Sequence, residues 1–234
     1  KINKKEGKIT CAPCSSVCLL ESNKRNIFSP LGVCSEGEVG SVFWGVQGNA
    51  IQFLLSLKER TDVVKRIFVE SLEKHGRDSQ CVAEAISREV KKLTPLDHSV
   101  IPRFIFSKES ATSILLSKVL MQILFGISID EQQVESSSTA ELVIGDEALR
   151  RRGEFVEIVD LGSLWNDVST LPFVFAVWQG DIRQSQLWSD YLVQCAHRAQ
   201  NNMRYNCHKY LMTSTFSSSM YVFICSLDSI ISES

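Results

Sequence analysis

The 234-residue sequence contains no long hydrophobic run: nowhere do about 18 uncharged apolar residues follow one another, as a membrane-spanning helix requires. Charge of one sign is also scarce, because 25 basic and 27 acidic residues leave a formal net charge of -2. A chain so nearly balanced has no strong electrostatic field with which to gather a polyanion. We therefore expect neither a membrane nor a nucleic acid as a partner.

The motifs of common enzyme classes are missing as well. The sequence has no G-x-x-x-x-G-K-[ST] loop, no G-x-G-x-x-G fingerprint and no Ser-His-Asp or Cys-His order with supporting context. Its few histidines lack metal-like neighbours and are more typical of surface or structural positions: His75, His98, His197 and His208. The basic residues 1–8 are not followed by the apolar stretch of a secretory signal, so we expect a cytoplasmic protein.

Eight cysteines are scattered through a chain that is 44% hydrophobic and large enough to fill a core without disulfides. This usage favours a reduced compartment. One cluster, Cys11, Cys14 and Cys18, has a C-x2-C-x3-C spacing that is compatible with a metal or an iron-sulfur cluster. A fourth ligand is not apparent nearby. Because a free cysteine often behaves as a small buried apolar residue, we interpret these three as core residues. No metal and no cofactor are expected.

Short apolar runs alternate with amphipathic stretches, a pattern typical of an α/β fold with largely parallel strands. Segments that are short, β-branched or aromatic, and bounded by Gly, Pro or Ser are predicted as strands: Val39–Phe43, Arg103–Phe106, Glu141–Ile144 and Leu171–Trp178. Apolar residues at helical spacing predict helices over Ser113–Phe125, ended by a left-handed cap at Gly126, and over roughly Gln184–Gln200. The charge-rich stretch Lys58–His98 carries two apolar stripes and predicts a helical hairpin.

Hydroxyls and glycines at predicted strand-to-helix junctions are the candidate ligand groups. In Ser110-Ala111-Thr112-Ser113, hydroxyls and free backbone N–H groups precede a helix and favour an anion, although this feature alone favours ordinary N-capping over ligand binding. Ile144-Gly145-Asp146 brings a glycine that permits close approach, and a carboxylate, to the carboxyl end of a predicted parallel strand, where open α/β sheets bind ligands. The structural alternative for Asp146 is again N-capping. Ser41 lies among glycines at the start of a strand, where structural use is the alternative.

Several of these junctions belong to blocks that occur in a fixed order: Gly37-Glu38-Val39-Gly40-Ser41-Val42, Ser110-Ala111-Thr112-Ser113, Ile144-Gly145-Asp146-Glu147-Ala148-Leu149, and Asp160-Leu161-Gly162 with Trp165 and Leu171-Pro172-Phe173-Val174-Phe175-Ala176-Val177-Trp178. Together they resemble the chorismate dehydratase family of the futalosine route to menaquinone. A sister family that cleaves cyclised futalosine shares the Asp-Leu-Gly/Trp region. It is less similar, because the blocks at 145–149 and 172–178 resemble the dehydratases.

The resemblance covers roughly residues 8–57 and 100–234 and implies a type II periplasmic-binding-protein-like α/β fold, in which two lobes enclose a ligand cleft. Residues 1–103 and 176–234 are then expected to form lobe 1, with 58–98 as a helical insertion, and residues 104–175 lobe 2. The chain departs from the family pattern in places. The usual opening strand with an Asn-containing turn is not found before a later strand that is predicted at Lys8–Ala12, and Ser107 stands where an acidic residue is usual. Ser169-Thr170 replaces the usual Thr-Gly.

The implied activity is that of a metal-independent hydro-lyase, which converts the dicarboxylate chorismate to 3-(1-carboxyvinyloxy)benzoate. The hypothesis from the residues is that Ser110, Thr112 and Ser113 bind a carboxylate, with Gly145 beside them, while Ser41 and Ser16 contact the substrate from the other lobe. Asp146 would orient a hydroxyl. With Ser41 and Asp146 as catalytic residues and no evident histidine or lysine base, the enolpyruvyl carboxylate of the substrate is expected to take the proton.

Other readings remain open. A non-catalytic protein that closes on a small carboxylate uses the same fold, and fold alone cannot choose between binding and catalysis. The sister cyclic-futalosine-cleaving activity is a second alternative, and an interaction protein that uses the 58–98 hairpin is a third. The sequence does not indicate an oligomeric state.

Overall fold

The computed structural model describes residues 12–16, 26–76, 78–93, 100–106, 110–128, 138–180, 189–195, 197–198 and 223–226. The chain divides into two compact units, Lys1–Ser35 with Val174–Ser234, and Glu36–Phe173. Among the described residues, no helix is both long and apolar enough to cross a membrane.

The elements follow in chain order. They are β1 (Ala12–Ser15), β2 (Asn26–Ser35), β3 (Val42–Gln47), α1 (Ile51–His75), α2 (Ser79–Val90), β4 (Arg103–Phe106), α3 (Ala111–Phe125), β5 (Thr139–Ile144), α4 (Gly145–Arg151), a 3-10 turn (Arg152–Glu154), β6 (Glu157–Asp160), α5 (Leu161–Ser169), β7 (Phe173–Gly180) and β8 (Phe223–Ser226). Residues 189–195 and 197–198 are helical.

The first unit contains a sheet with the strand order β1-β7-β2-β8. Strand β1 runs antiparallel to β7, with Ser15 opposite Ala176, and β2 runs antiparallel to β8, with Gly32 opposite Cys225. Gly32 allows β2 to lie close to β7, because a Cβ there would be 3.0 Å from the carbonyl oxygen of Ala176.

The second unit, Glu36–Phe173, contains a sheet with the strand order β4-β5-β3-β6. Strand β3 is antiparallel to both β5 and β6, whereas β4 is parallel to β5. As a consequence, the carboxyl ends of β4, β5 and β6 and the amino end of β3 lie at the same edge. We call this edge, with residues 37–41 that lead into β3, the Ser41 edge.

Both faces of β3 are covered, which explains its nearly continuous apolar sequence. On one face Trp44, which is fully buried, meets Phe104 edge to face at 5.0 Å and donates from Nε1 to Ser117 Oγ of α3 at 2.9 Å. On the other face Phe43 packs against Phe155 at 5.8 Å. The Phe155 ring lies directly over Gly45, where a Cβ would collide with it.

Helices α1 and α2 form the hairpin that the charge-rich stretch predicts. Gly76 follows α1, and Asp78 caps α2 by accepting hydrogen bonds from the amides of Gln80 and Cys81. Helix α1 begins at Ile51, earlier than the predicted hairpin, because the apolar residues that bury one face begin at Phe53. The buried face of α1 packs against α5, where the ring of Phe68 meets that of Trp165 edge to face at 6.2 Å.

The mixed α/β class is confirmed, and the helix at 111–125 ends in the predicted left-handed Gly126, whose φ is 70°. Strand β4 has the predicted bounds, while β3 starts three residues later than predicted. Of the strand pairs β1–β7, β2–β8, β3–β5, β3–β6 and β4–β5, only β4–β5 is parallel, so the expectation of largely parallel strands is wrong for these pairs. The helical connection after β3 is long enough to return the chain to either end of the sheet, and apolar patterning does not encode strand direction.

The two units divide the chain differently from the predicted lobes. Strand β3, expected in lobe 1, pairs with β5, expected in lobe 2. The arrangement of two lobes around a ligand cleft stays a prediction. Most of the strand expected at Lys8–Ala12 and the ends of the helix expected at 184–200 lie outside the described residues, as do Cys11, Cys18 and Ser107.

Candidate functional site

The loop before β3 is held by a carboxylate at the end of the neighbouring strand β6. Asp160 ends β6, and its Oδ2 accepts from the amide of Gly40 at 2.8 Å, while both its oxygens lie within 3.2 Å of the Val39 amide. Oδ1 also caps α5 by accepting from Ser163 N at 3.0 Å. Three amides on one carboxylate fix the loop that leads to Ser41, because charge-assisted hydrogen bonds are stronger than neutral ones.

Gly162 completes this clamp. A Cβ at position 162 would collide with the carbonyl oxygen of Gly37 and with the side chain of Val39. Only a glycine therefore lets the first turn of α5 approach the loop this closely. The Asp-Leu-Gly block of the sequence thus has a structural explanation: Asp160 binds the loop and Gly162 makes room for it.

Ser41 and Gly145, which lie 104 positions apart in sequence, are in direct contact. The Gly145 amide donates to the Ser41 carbonyl oxygen at 2.7 Å, which joins the amino end of β3 to the start of α4. Gly145 has a φ of 66°, which favours glycine, and the space where a Cβ would lie is open. Ser41 is half-buried and Asp146 is exposed, so both can meet a ligand from solvent.

Asp146 does not cap α4, which was the structural alternative for it. The N-cap position is Ile144, without a side-chain cap, and Asp146 lies in the first turn together with Glu147. A carboxylate there interacts favourably with the positive end of the helix dipole. The helix dipole therefore stabilises the Asp146 carboxylate at the Ser41 edge, and this carboxylate makes no capping hydrogen bond to its own helix.

The start of α3 follows β4 and so lies at the same edge, one strand beyond α4. Ser110 is its N-cap, and its Oγ accepts from the Ser113 amide at 3.2 Å and lies 3.0 Å from Ser113 Oγ. Thr112 and Ser113 are buried, at 3% and 1% exposure. This geometry is that of an N-cap, and carboxylate binding by Ser110, Thr112 and Ser113 stays a prediction.

Ser16 belongs to the other unit. Its Oγ donates to the carbonyl oxygen of Val174 at 2.8 Å, and its amide donates to Phe175 O at 3.1 Å. The structure therefore explains Ser16 by its attachment to β7, and its contact with a substrate stays a prediction.

Two consecutive arginines lie close to the sheet but differ in their surroundings. Arg151 is bidentate to Glu141, with both N–O distances 2.8 Å, and also pairs with Glu147 and Glu154. The hydrogen bonds from Arg151 hold the pKa of Glu141 below its ordinary value of 4.5. Arg152 instead extends to the loop before β3, where it donates to Gly40 O at 3.3 Å and to Glu38 Oε1 at 3.0 Å.

A cavity of about 470 Å³ lies at the opposite end of β3. Its walls are mainly apolar, and they include Val46, Ala50, Ile51, Leu54, Val156 and Glu157. Ile51 and Val156 are 64% and 72% exposed at its rim. This surface, which we call the apolar groove, offers few groups that recognise a small anion, in contrast to the amides, hydroxyls and arginine of the Ser41 edge.

The structure thus brings Ser41, Gly145 and Asp146 together and places the start of α3 at the same edge. The sequence reasoning missed Asp160, Arg152 and Glu38 as parts of this edge. An Asp between a strand and a helix is a visible capping signal, but its bonds to residues 39 and 40 join segments 120 positions apart. Within the described part of the chain, no group of three or more His, Cys, Asp or Glu side chains is arranged to hold a metal ion.

Comparison with protein families gives one further observation. A family model described as menaquinone biosynthesis matches residues 79–208. The match includes α2, so the part of the predicted insertion from residue 79 onward lies within the family model. It also includes α3, α4, Asp160 and Arg152. Because the match spans more than half of the chain, this protein belongs to the menaquinone biosynthesis family.

Proposed function

We propose that this chain is a hydro-lyase of menaquinone biosynthesis that dehydrates chorismate to 3-(1-carboxyvinyloxy)benzoate on the futalosine route. The family supports the pathway. The finer assignment is supported by the dehydratase-like blocks of the sequence, several of which meet at the Ser41 edge. We also propose the type II periplasmic-binding-protein-like fold, because the resemblance of these blocks to the dehydratase family implies it.

The observation that carries the proposal is the contact between Ser41 and Gly145. It joins two of the family-like blocks through one hydrogen bond of 2.7 Å, beside the exposed Asp146. A third block, Asp160 to Gly162, fixes the loop that ends at Ser41. Residues that are distant in sequence but similar to one family therefore form one surface, which is the behaviour expected of an active site.

The reaction needs positioning more than strong acid–base chemistry. Chorismate loses its C4 hydroxyl and its C3 proton as water, and the ring becomes aromatic, which makes the elimination strongly downhill. The protein must hold the dicarboxylate in a pose ready for elimination and stabilise the departing hydroxide with fixed dipoles. The Ser41 hydroxyl and the Asp146 carboxylate would bind and orient the ring hydroxyl, and Gly145 would allow it to approach the backbone.

The amino end of α3 is the proposed binding site for a carboxylate. The anion would approach the amino end of the helix, beside the half-buried Ser110. Thr112 and Ser113, which are buried, would support that turn from below. In this mechanism the enolpyruvyl carboxylate of the substrate takes the C3 proton, so the protein supplies no separate base.

The direct test is incubation of purified protein with chorismate, followed by liquid chromatography and mass spectrometry. We expect loss of chorismate and formation of a product lighter by one water. Ser41→Ala should lower kcat/KM by about ten- to a hundredfold, the effect of losing one hydrogen bond to a charged or developing charge. Ser87→Ala, the same change on the exposed face of α2, is the matched control and should leave kcat/KM unchanged.

Unchanged chorismate in the wild-type reaction would contradict the proposal. If calorimetry then showed that chorismate binds without turnover, the chain would be a carboxylate-binding protein, the alternative left open by the fold. Cleavage of cyclised futalosine in a parallel reaction would instead identify the sister activity.

A further inference from the structure

Arg152 is a cation that holds the loop before β3, and it lies at the Ser41 edge. Its guanidinium donates to Gly40 O at 3.3 Å and to Glu38 Oε1 at 3.0 Å. Gly40 precedes Ser41, whose carbonyl oxygen binds the Gly145 amide. The guanidinium is therefore adjacent to the residues that we propose as the active site.

The ion pair between Arg152 and Glu38 is open to water. The side chains are 45% and 41% exposed, and such pairs contribute little to stability. Arg151 provides the contrast within the same turn: it is 24% exposed and is held by Glu141, Glu147 and Glu154 together. Arg151 is committed to the fold, whereas Arg152 can exchange its carboxylate partner at small cost.

The negative charges at this edge explain why an anionic substrate would need Arg152 to exchange its partner. Asp146 and Glu38 are exposed carboxylates there, and each repels an anionic substrate. A site for a dicarboxylate that contains these groups requires a cation beside them. The planar guanidinium of Arg152 presents paired donors that match a carboxylate, and it already binds one, that of Glu38.

We propose that Arg152 binds a carboxylate of the substrate, which displaces Glu38, and so sets the preference of the site for an anion. This inference rests on the proposed function and adds to it a specificity-determining residue. In the free protein Glu38 holds the guanidinium at the loop. In the complex the substrate carboxylate takes its place, and Glu38 turns to solvent.

The test is steady-state kinetics with chorismate on wild-type protein, Arg152→Gln, Glu38→Gln and the double variant. Arg152→Gln should raise KM by about ten- to a hundredfold, the effect of one lost hydrogen bond to a charged group, with a smaller change in kcat. Glu38→Gln should lower KM by about two- to fivefold, because it removes the competing carboxylate. The double variant should keep the high KM of Arg152→Gln, since Glu38 then has no cation to compete for.

The opposite signs separate substrate binding from a structural role. If the pair only held the loop, Arg152→Gln and Glu38→Gln would change KM in the same direction, and that result would overturn the proposal. An unchanged KM in Arg152→Gln would also overturn it. Arg150→Gln, which removes an exposed charge from α4, is the matched control and should leave KM unchanged. Failure of the proposed function itself is visible separately, because wild-type protein would then not turn over chorismate.

Discussion

The two ends of β3 present opposite surfaces. At its amino end, residues 37–41 bring glycines, a serine and amides held by Asp160, together with Arg152 and the start of α4. At its carboxyl end, Val46, Ile51 and Val156 line the apolar groove, whose walls have little hydrogen-bonding capacity. A small diacid needs directed donors more than volume, so the comparison favours the Ser41 edge as the site.

The difference also shows how the Ser41 edge is made. Each of its parts comes from a different strand end, and long-range contacts hold them in register. Asp160 connects β6 to the loop, Gly145 connects α4 to β3, and Arg152 connects the 3-10 turn to the loop. The groove, by contrast, is formed by two segments, residues 46–54 and 156–157, and its walls are mainly apolar. The polar edge should accordingly be the more sensitive to single substitutions.

Gly162→Ala should break the Ser41 edge most severely. The added Cβ meets the Gly37 carbonyl and the Val39 side chain, and the backbone of a clamped loop cannot move away cheaply. We expect a loss of about 3 kcal/mol in the free energy of unfolding, measured by urea denaturation. Gly153→Ala is the control, since its Cβ would meet nothing within 4 Å, and it should change stability by no more than about 0.5 kcal/mol. Equal stability of the two variants would refute the close packing at residue 162.

Asp160→Ala compared with Asp78→Ala isolates the loop from ordinary capping. Both aspartates cap a helix, but Asp160 also accepts from the amides of Val39 and Gly40. Loss of a cap costs about 1 kcal/mol. We expect that loss for Asp78→Ala with turnover unchanged, and about 2 kcal/mol for Asp160→Ala with a reduced kcat/KM for chorismate. A pair of variants that matched in both stability and turnover would show that the loop does not depend on Asp160.

Glu141 lies between the two ends, on β5 beside β3, and its ion pair with Arg151 of α4 allows a pH test. The hydrogen bonds from Arg151 lower the pKa of Glu141 in the folded protein. A lowered carboxylate pKa stabilises the fold above the unfolded-state pKa, and this stabilisation is lost as the pH falls below about 4.5 through the folded-state pKa. Glu141→Gln should remove up to about 1 kcal/mol of stability at pH 7 and reduce the acid dependence below pH 4.5.

The matched control for that experiment is Glu89→Gln, which breaks the exposed ion pair between Glu89, in the last turn of α2, and Lys92, which follows that helix. It should change stability by less than about 0.5 kcal/mol and leave the acid limb of the denaturation profile as in the wild type. If Glu141→Gln behaved in the same way, the Arg151 cluster would not support the sheet.

Val156→Ser should have the smallest effect, because this side chain is 72% exposed at the rim of the apolar groove. The free energy of unfolding should change by at most about 0.5 kcal/mol, and kcat/KM for chorismate should stay at the wild-type value. A large fall in kcat/KM would indicate that the substrate binds in the apolar groove and not at the Ser41 edge.

Local patterns predicted the local elements well. The apolar spacing of 113–125 and the glycine after it defined α3, and the short aromatic run at 103–106 defined β4. The direction of β3 could not be predicted in this way, since an apolar run has the same sequence pattern in either orientation. Its pairing with β5 and β6 depends on where a 25-residue helix returns the chain.

The same limit applies to the candidate site. Ser41, Gly145 and Asp146 were found from junction residues and from the family resemblance, and the contact of Ser41 with Gly145 joins them. Arg152 gave no signal, because an arginine in an Arg-Arg-Arg run has no motif and its contact with Gly40 spans 112 positions. The burial of Thr112 and Ser113 could not be predicted either, because the sequence shows that they carry hydroxyls but not whether these side chains face the core or solvent.

Hydrogen–deuterium exchange with and without 3-(1-carboxyvinyloxy)benzoate, followed peptide by peptide, tests most directly where the ligand binds. Bound product should slow exchange at the amides of residues 37–41 and at the start of α4, and leave residues 48–54 and 156 unchanged. Protection confined to the apolar groove, or no protection at residues 37–41 at saturating product, would contradict a site at the Ser41 edge.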